Sequence, residues 1–248
     1  MLNLNQKNNK ILYFLSIYLA FDCLLGSFLV PTHAEPSKNN NKSETISYNG
    51  LPYNRRDAGS RGNCLAKGRN VVALVPDRPI NKTISTSPQL FFYIPQIEQA
   101  KEIEFILRNN KDELVYKKLF APNNQEGIIS FSIPETVTEN SREAHQNYHW
   151  YLSLICDHKH RSQDIVLEGW IEYVQLNNPV AAKINASDSI TKSNLLQQEG
   201  IWYDALSVLA KQKDSNSILI QTEWSKLLQS IGLSDLASQP LVQVETVK

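Results

Sequence analysis

Histidines and acids are the first residues in this chain whose types and spacing could do chemistry. His145 and His149 stand four apart, and Asp157-His158-Lys159-His160 puts two imidazoles and a carboxylate in one loop. Zinc and copper take such ligands, and alternate residues of an extended loop point the same way. A strand rising about 3.3 Å per residue nevertheless sets the two groups at opposite ends, more than ~20 Å apart. Two histidines alone make a weak site. The 157–160 loop therefore reads as a solvated polar turn, and neither a metal nor another cofactor is expected.

The second set is basic. Arg55, Arg56, Arg61, Lys67 and Arg69 stand against one acid, Asp57, in residues 55–69, with Gly59, Gly62 and Gly68 among them. Glycines let backbone N–H groups approach an anion, but no G-K-[ST] follows and no strand precedes, so this is not a phosphate loop. Two readings of Arg55, Arg56, Arg61 and Arg69 stand. They dock an anionic surface, such as an acidic polysaccharide or a partner protein, or they pin an irregular segment through carboxylates such as Glu168 or Asp157. Nucleophilic catalysis lacks a G-x-S-x-G elbow. Glu102, Glu104 and Glu168 cannot be paired by spacing for glycoside hydrolysis. No catalytic residue is assigned, and the chain is read as a non-enzyme. The rival reading is an envelope hydrolase using strand carboxylates or the histidine loop. Phe91, Phe92, Tyr93, Trp150, Tyr151 and Trp170 could form a carbohydrate platform, although core packing accounts for at least half of such rings.

These groups must be positioned by a chain of 248 residues with 25 basic and 25 acidic side chains. Zero net charge argues against a nucleic-acid binder, whose affinity needs a basic field. Lys7 and Lys10, an apolar run over 11–30, and then Thr32 and Ala34 follow the order of a secretory signal cleaved after Ala34. The alternative is an uncleaved anchor, the one route to a membrane, opposed by Asp22 inside the run. Asp22 directly before Cys23 is unlike a lipid-attachment site. Cleavage removes Lys7, Lys10 and Asp22, leaving 23 basic against 24 acidic residues. It also removes Cys23. Cys64 and Cys156 remain, and an oxidising periplasmic or extracellular compartment favours their disulfide over two buried thiols.

Residues 35–50 form a disordered polar linker. Strands are expected at 71–75, 90–94, 103–107, 114–120, 128–133, 149–156 and 165–174, separated by Pro, Asn and Asp turns. Ile103, Phe105 and Leu107 share one face, as do Tyr148, Trp150, Leu152, Leu154 and Cys156. About seven strands without an intervening helix predict a mainly β fold over 51–178, an immunoglobulin-like antiparallel sandwich. Asn177-Asn178-Pro179 is read as the end of the sheet. A helical region over 179–232 follows, with helices at about 187–199 (N-cap Ser187 or Asp188), 202–213 and 217–231. Gly200-Ile201-Trp202-Tyr203-Asp204-Ala205 resembles a single tetratricopeptide-type turn. Trp202, Tyr203 and Trp224 are its candidate interaction surface. Residues 233–248 read as a flexible tail.

Several motifs together resemble one family. They are Arg55-Arg56-Asp57-Ala58-Gly59-Ser60-Arg61-Gly62-Asn63-Cys64, Val72-Ala73-Leu74-Val75-Pro76, Phe91-Phe92-Tyr93-Ile94-Pro95, Trp150-Tyr151-Leu152-Ser153-Leu154-Ile155-Cys156-Asp157 and Val166-Leu167-Glu168-Gly169-Trp170-Ile171. In this order over 51–232 they resemble the DUF928 family of cyanobacterial exported proteins. That resemblance implies an extracytoplasmic protein and carries no enzyme chemistry. The resulting expectation is an exported binding or assembly module of the cell envelope.

Overall fold

Alternating apolar residues build two β-sheets. The computed structural model describes residues 50–57, 64–122, 125–138, 146–215 and 217–247. The signal, nearly all of the linker, Arg61 and His145 lie outside the described residues. The strands are β1 (Val72–Ala73), β2 (Ile80–Thr83), β3 (Gln89–Ile94), β4 (Glu102–Arg108), β5 (Leu114–Ala121), β6 (Gly127–Ser132), β7 (Asn147–Ile155), β8 (Ile165–Tyr173), β9 (Leu241–Val242) and β10 (Glu245–Thr246). The helices are α1 (Glu135–Thr138), α2 (Asn178–Asn185), α3 (Ser189–Gln198), α4 (Trp202–Ala210) and α5 (Ile218–Gln229). One sheet has the order β1-β3-β6-β9, and the other β10-β5-β4-β7-β8-β2.

The two sheets meet through the faces that the alternation assigned. Ile103, Phe105 and Leu107 of β4 are buried, as are Trp150, Leu152 and Leu154 of β7. Phe131 of the first sheet packs 4.7 Å from Phe105 and 4.8 Å from Phe120 of the second, centroid to centroid. Phe92 meets Trp150 edge-on at 5.5 Å. Each such side chain contributes about 1.5–3 kcal/mol on full burial, so these rings dominate the contact between the sheets.

The helices close over the sheets with specific hydrogen bonds. Trp202 Nε1 donates to Leu74 O at 2.7 Å, and Trp150 Nε1 donates to the Tyr203 hydroxyl at 3.0 Å. Trp224 meets Phe91 edge-on at 6.4 Å. This corrects the reading of Trp202, Tyr203 and Trp224 as an interaction surface. They are 3%, 2% and 1% exposed, because the apolar helical face they mark is consumed by the protein's own sheets. The α3–α4 turn closes on Gly200 at φ +73°. Ile201 N donates to Leu196 O and Gly200 N to Gln197 O, a pairing that needs the left-handed conformation glycine adopts at no steric cost. Asp188 caps α3 by accepting from Ile190 N and Thr191 N.

Three elements differ from the sequence reading. Asn177-Asn178-Pro179 starts α2: Asn177 accepts from Val180 N, and Pro179 sits in the first turn, where its missing N–H costs nothing. β2, which the sequence hid, pairs parallel with β8, Ile80 opposite Trp170. Within the segment 233–248, expected to be flexible, residues 241–242 and 245–246 are paired. β9 runs parallel to β6, and β10 pairs antiparallel with β5. The tail approaches so closely that a Cβ on Gly127 would lie 2.6 Å from Val242 and 2.8 Å from Pro240 O. The helices belong with the sheets in one body spanning residues 46–248.

Candidate functional site

The basic loop is taken apart by the fold. Arg55 turns inward and donates to Val75 O at 2.9 Å and Ile231 O at 3.0 Å, with Asp77 at 3.7 Å. It therefore pins the N-terminal segment to the end of α5, where a cation suits the helix dipole. Arg69 pairs with Glu126, and both reach the Tyr93 hydroxyl. Burial and that carboxylate push the Tyr93 hydroxyl up to about 12. Arg56 is exposed and lines a cavity of about 270 Å³ with Arg69, Glu126 and Asp235. Two cations there face two acids, so the cavity favours no anion. Cys64 and Cys156 form a disulfide with Cα atoms 5.3 Å apart. The carboxylates named as arginine partners are engaged elsewhere. Glu168 lies 3.0 Å from His149 Nε2, and Asp157 receives His160 at 2.7 Å.

The histidines do not converge. His149 is buried on the outer face of β7, stacked on Trp170 at 4.1 Å and joined through Nδ1 to the Tyr151 hydroxyl at 2.8 Å. Burial outweighs Glu168 and holds His149 below the ordinary histidine range. Tyr151 thus bonds His149, whose Nε2 lies near Glu168 without a hydrogen bond to it, a juxtaposition that spacing alone did not reveal. Its electrostatics run against nucleophile activation, because burial and Glu168 raise the Tyr151 pKa. Among the described residues no group of three or more His, Cys, Asp or Glu is placed to hold a metal.

A different set converges where the helices leave the sheets. Asp204 stands in the first turn of α4 and accepts from Thr83 Oγ1 at 2.7 Å and from Ile84 N at 3.1 Å, both through Oδ2. Arg78 secures the same junction by donating to Asn81 Oδ1 at 3.0 Å and Gly200 O at 3.3 Å. Asp204 is half-buried in the wall of a cleft of about 350 Å³. Ser85, Ser87 and Gln89 come from the β2–β3 side, Ser132 from β6, Asn185 from α2, and Lys192, Ser207 and Lys211 from α3 and α4. Crowding by protein atoms raises the Asp204 pKa, opposed by Thr83, the Ile84 N–H and the more distant Lys192. The cleft thus offers hydroxyls, two amides, two ammonium groups and one carboxylate held by neutral donors. Sequence reasoning missed it. Thr83 and Asp204 lie 121 residues apart, and no local period links them.

The fold and this cleft define a class: a sheet-rich protein in which helices roof one end of two packed sheets and leave a polar cleft at the junction. The chain belongs to the family described as Domain of Unknown Function (DUF928), whose model matches residues 56–241, more than half of its length. Among curated proteins none matches it.

Proposed function

We propose that the chain is an exported module of the cell envelope that binds an acidic polysaccharide in the cleft beside Asp204. The observation that carries this reading is the cleft's lining. Lys192 and Lys211 suit the acid groups of such a polymer, and Ser85, Ser87, Gln89, Ser132, Asn185 and Ser207 suit its hydroxyls. The 1–34 signal would deliver the chain across the membrane, into a compartment where the Cys64–Cys156 disulfide persists. We also read the two sheets as an immunoglobulin-like sandwich. In support, β1-β3-β6 and β5-β4-β7-β8 alternate between sheets in the order of that fold, with β2 added parallel to β8. A second reading, assembly with another envelope protein, is favoured by Ile218 and Leu219, 77% and 68% exposed on α5.

Calorimetry with polygalacturonate against neutral dextran tests the first reading. The wild type is expected to bind the acidic polymer alone, and Lys192→Ala/Lys211→Ala to bind at least tenfold more weakly. Equal binding by the double variant would remove the cleft from consideration. N-terminal sequencing of the envelope fraction tests export, with Glu35 expected as the first residue.

A further inference from the structure

A second cavity, of about 560 Å³, lies away from the cleft where the turn after α4 meets α5 and residues 234–238. Lys213, Gln221, Trp224, Ser225, Ser234 and Ser238 line it. Trp224 is 1% exposed, yet its indole Nε1 has no acceptor among the described residues. Buried donors are nearly always satisfied, because an unmet N–H loses its water and gains nothing in return. The neighbouring groups are also donors. Lys213 Nζ sits 5.4 Å from the Trp224 ring centroid and bonds Gln239 O, which holds the ammonium at the cavity wall. Ser225 already gives its proton to Gln221 O at 2.9 Å. The hydroxyls of Ser234 and Ser238 add two further donors. Among the described residues the lining carries one cation and no carboxylate.

We propose that this cavity binds an oxyanion, the carboxylate or sulfate group of an acidic ligand, through Trp224 Nε1–H, Lys213 and the hydroxyls of Ser234 and Ser238. A metal cation is disfavoured by the Lys213 ammonium and by a lining that carries no carboxylate among the described residues. Water would also meet the indole, and the chloride arm of the titration below separates that case from an oxyanion. The proposal stands independently of the cleft.

The test is a titration of the full-length protein followed by ¹H–¹⁵N NMR, with the Trp224 indole resonance identified by its loss in Trp224→Phe. Sodium sulfate, sodium acetate and a galacturonate trimer are added in separate arms, against sodium chloride at equal ionic strength. A saturable shift of that resonance is expected with sulfate, with the trimer or with both. The first outcome assigns a free inorganic oxyanion and the second a saccharide carboxylate. Lys213→Ala and Ser234→Ala/Ser238→Ala are expected to weaken binding at least tenfold, Lys213→Arg to retain it, and Lys192→Ala/Lys211→Ala to leave it unchanged. An indole resonance that moves no more with these ions than with chloride overturns the proposal and leaves water as the acceptor. That outcome would not touch the cleft, whose own variant reads out separately.

Discussion

Two carboxylates, Glu104 and Asp204, occupy opposite kinds of surroundings. Glu104 on β4 is 5% exposed, yet Lys117 and Arg161, the latter at 2.8 Å, both reach it. Burial alone would raise its pKa, but the two cations more than offset that and hold it below the usual carboxylate range. Asp204 keeps part of its surface open to the cleft, yet its pKa is raised, because Thr83 and the Ile84 N–H carry no charge to offset the crowding. Accessible area alone therefore does not decide which acid is perturbed; the crowding of protein atoms around it and the charge of its partners do. Glu104 is a finished ion pair. Asp204 still has a use for a ligand that brings a donor or a cation.

The largest test of this contrast is loss of the disulfide. Cys64 and Cys156 are 92 residues apart, so Cys64→Ser/Cys156→Ser is expected to cost roughly 4–5 kcal/mol in the chain-entropy model, read from guanidinium melts. Cys156 N donates to Asp164 Oδ1 at 3.2 Å, and Asp164 pairs with Arg161, so the Glu104 network is tied to the bridge. In that background Glu104→Gln is expected to lose part of its effect, whereas Asp204→Ala keeps all of it. Equal coupling of both carboxylates to the bridge would erase the distinction.

Single substitutions sharpen it further. Asp204→Ala orphans the Thr83 hydroxyl and the Ile84 N–H and is expected to cost about 2–3 kcal/mol, while Asp204→Asn, which still accepts, costs under about 1. Glu104→Gln is expected to cost only about 1–2 kcal/mol. Lys117 and Arg161 are 46% and 47% exposed, so water takes over their solvation. Urea midpoints at pH 7 give the ranking, and a larger loss for Glu104→Gln than for Asp204→Ala would reverse the argument.

The smallest effect is in pH dependence, where the two acids have opposite signs. Because the folded pKa of Asp204 is raised, the proton-linked part of its contribution is full below the ordinary carboxylate range and is lost as pH climbs through the folded value, while the hydrogen bonds it accepts from Thr83 and Ile84 N persist. The folded pKa of Glu104 is lowered, so its contribution is present above the ordinary range and is lost as pH falls through the folded value. Stability measured from pH 3 to 8 should lose its falling component in Asp204→Asn and its acid-side rise in Glu104→Gln. Parallel profiles for the two variants would contradict the assigned directions.

The sequence was most legible where one period dominated. β4 and β7 alternate cleanly, so their inner faces could be named in advance, and α3 followed from its cap. β2 was hidden because Ile80-Asn81-Lys82-Thr83 carries one apolar residue, and its pairing with β8 reaches across about 90 positions. Trp202, Tyr203 and Trp224 were placed on a helical face correctly but assigned to the wrong partner. An amphipathic stripe records that something covers it, without recording what. The basic loop misled for a related reason, since Arg55 answers to two backbone carbonyls, which have no letter in the sequence. The cleft depends on Thr83, Asp204 and the lysines meeting only after the helices dock, so neither spacing nor composition announces it.

The paired tail has a consequence in time. Residues 241–246 are synthesised after every strand they join, so β5 and β6 keep bare edges while the rest of the chain emerges. The pairing of β9 with β6 and of β10 with β5 is gained only once Leu241 to Thr246 have been made. Until then β5 and β6 present open edges, and a chain in that state depends on whatever keeps exposed strands from pairing with one another.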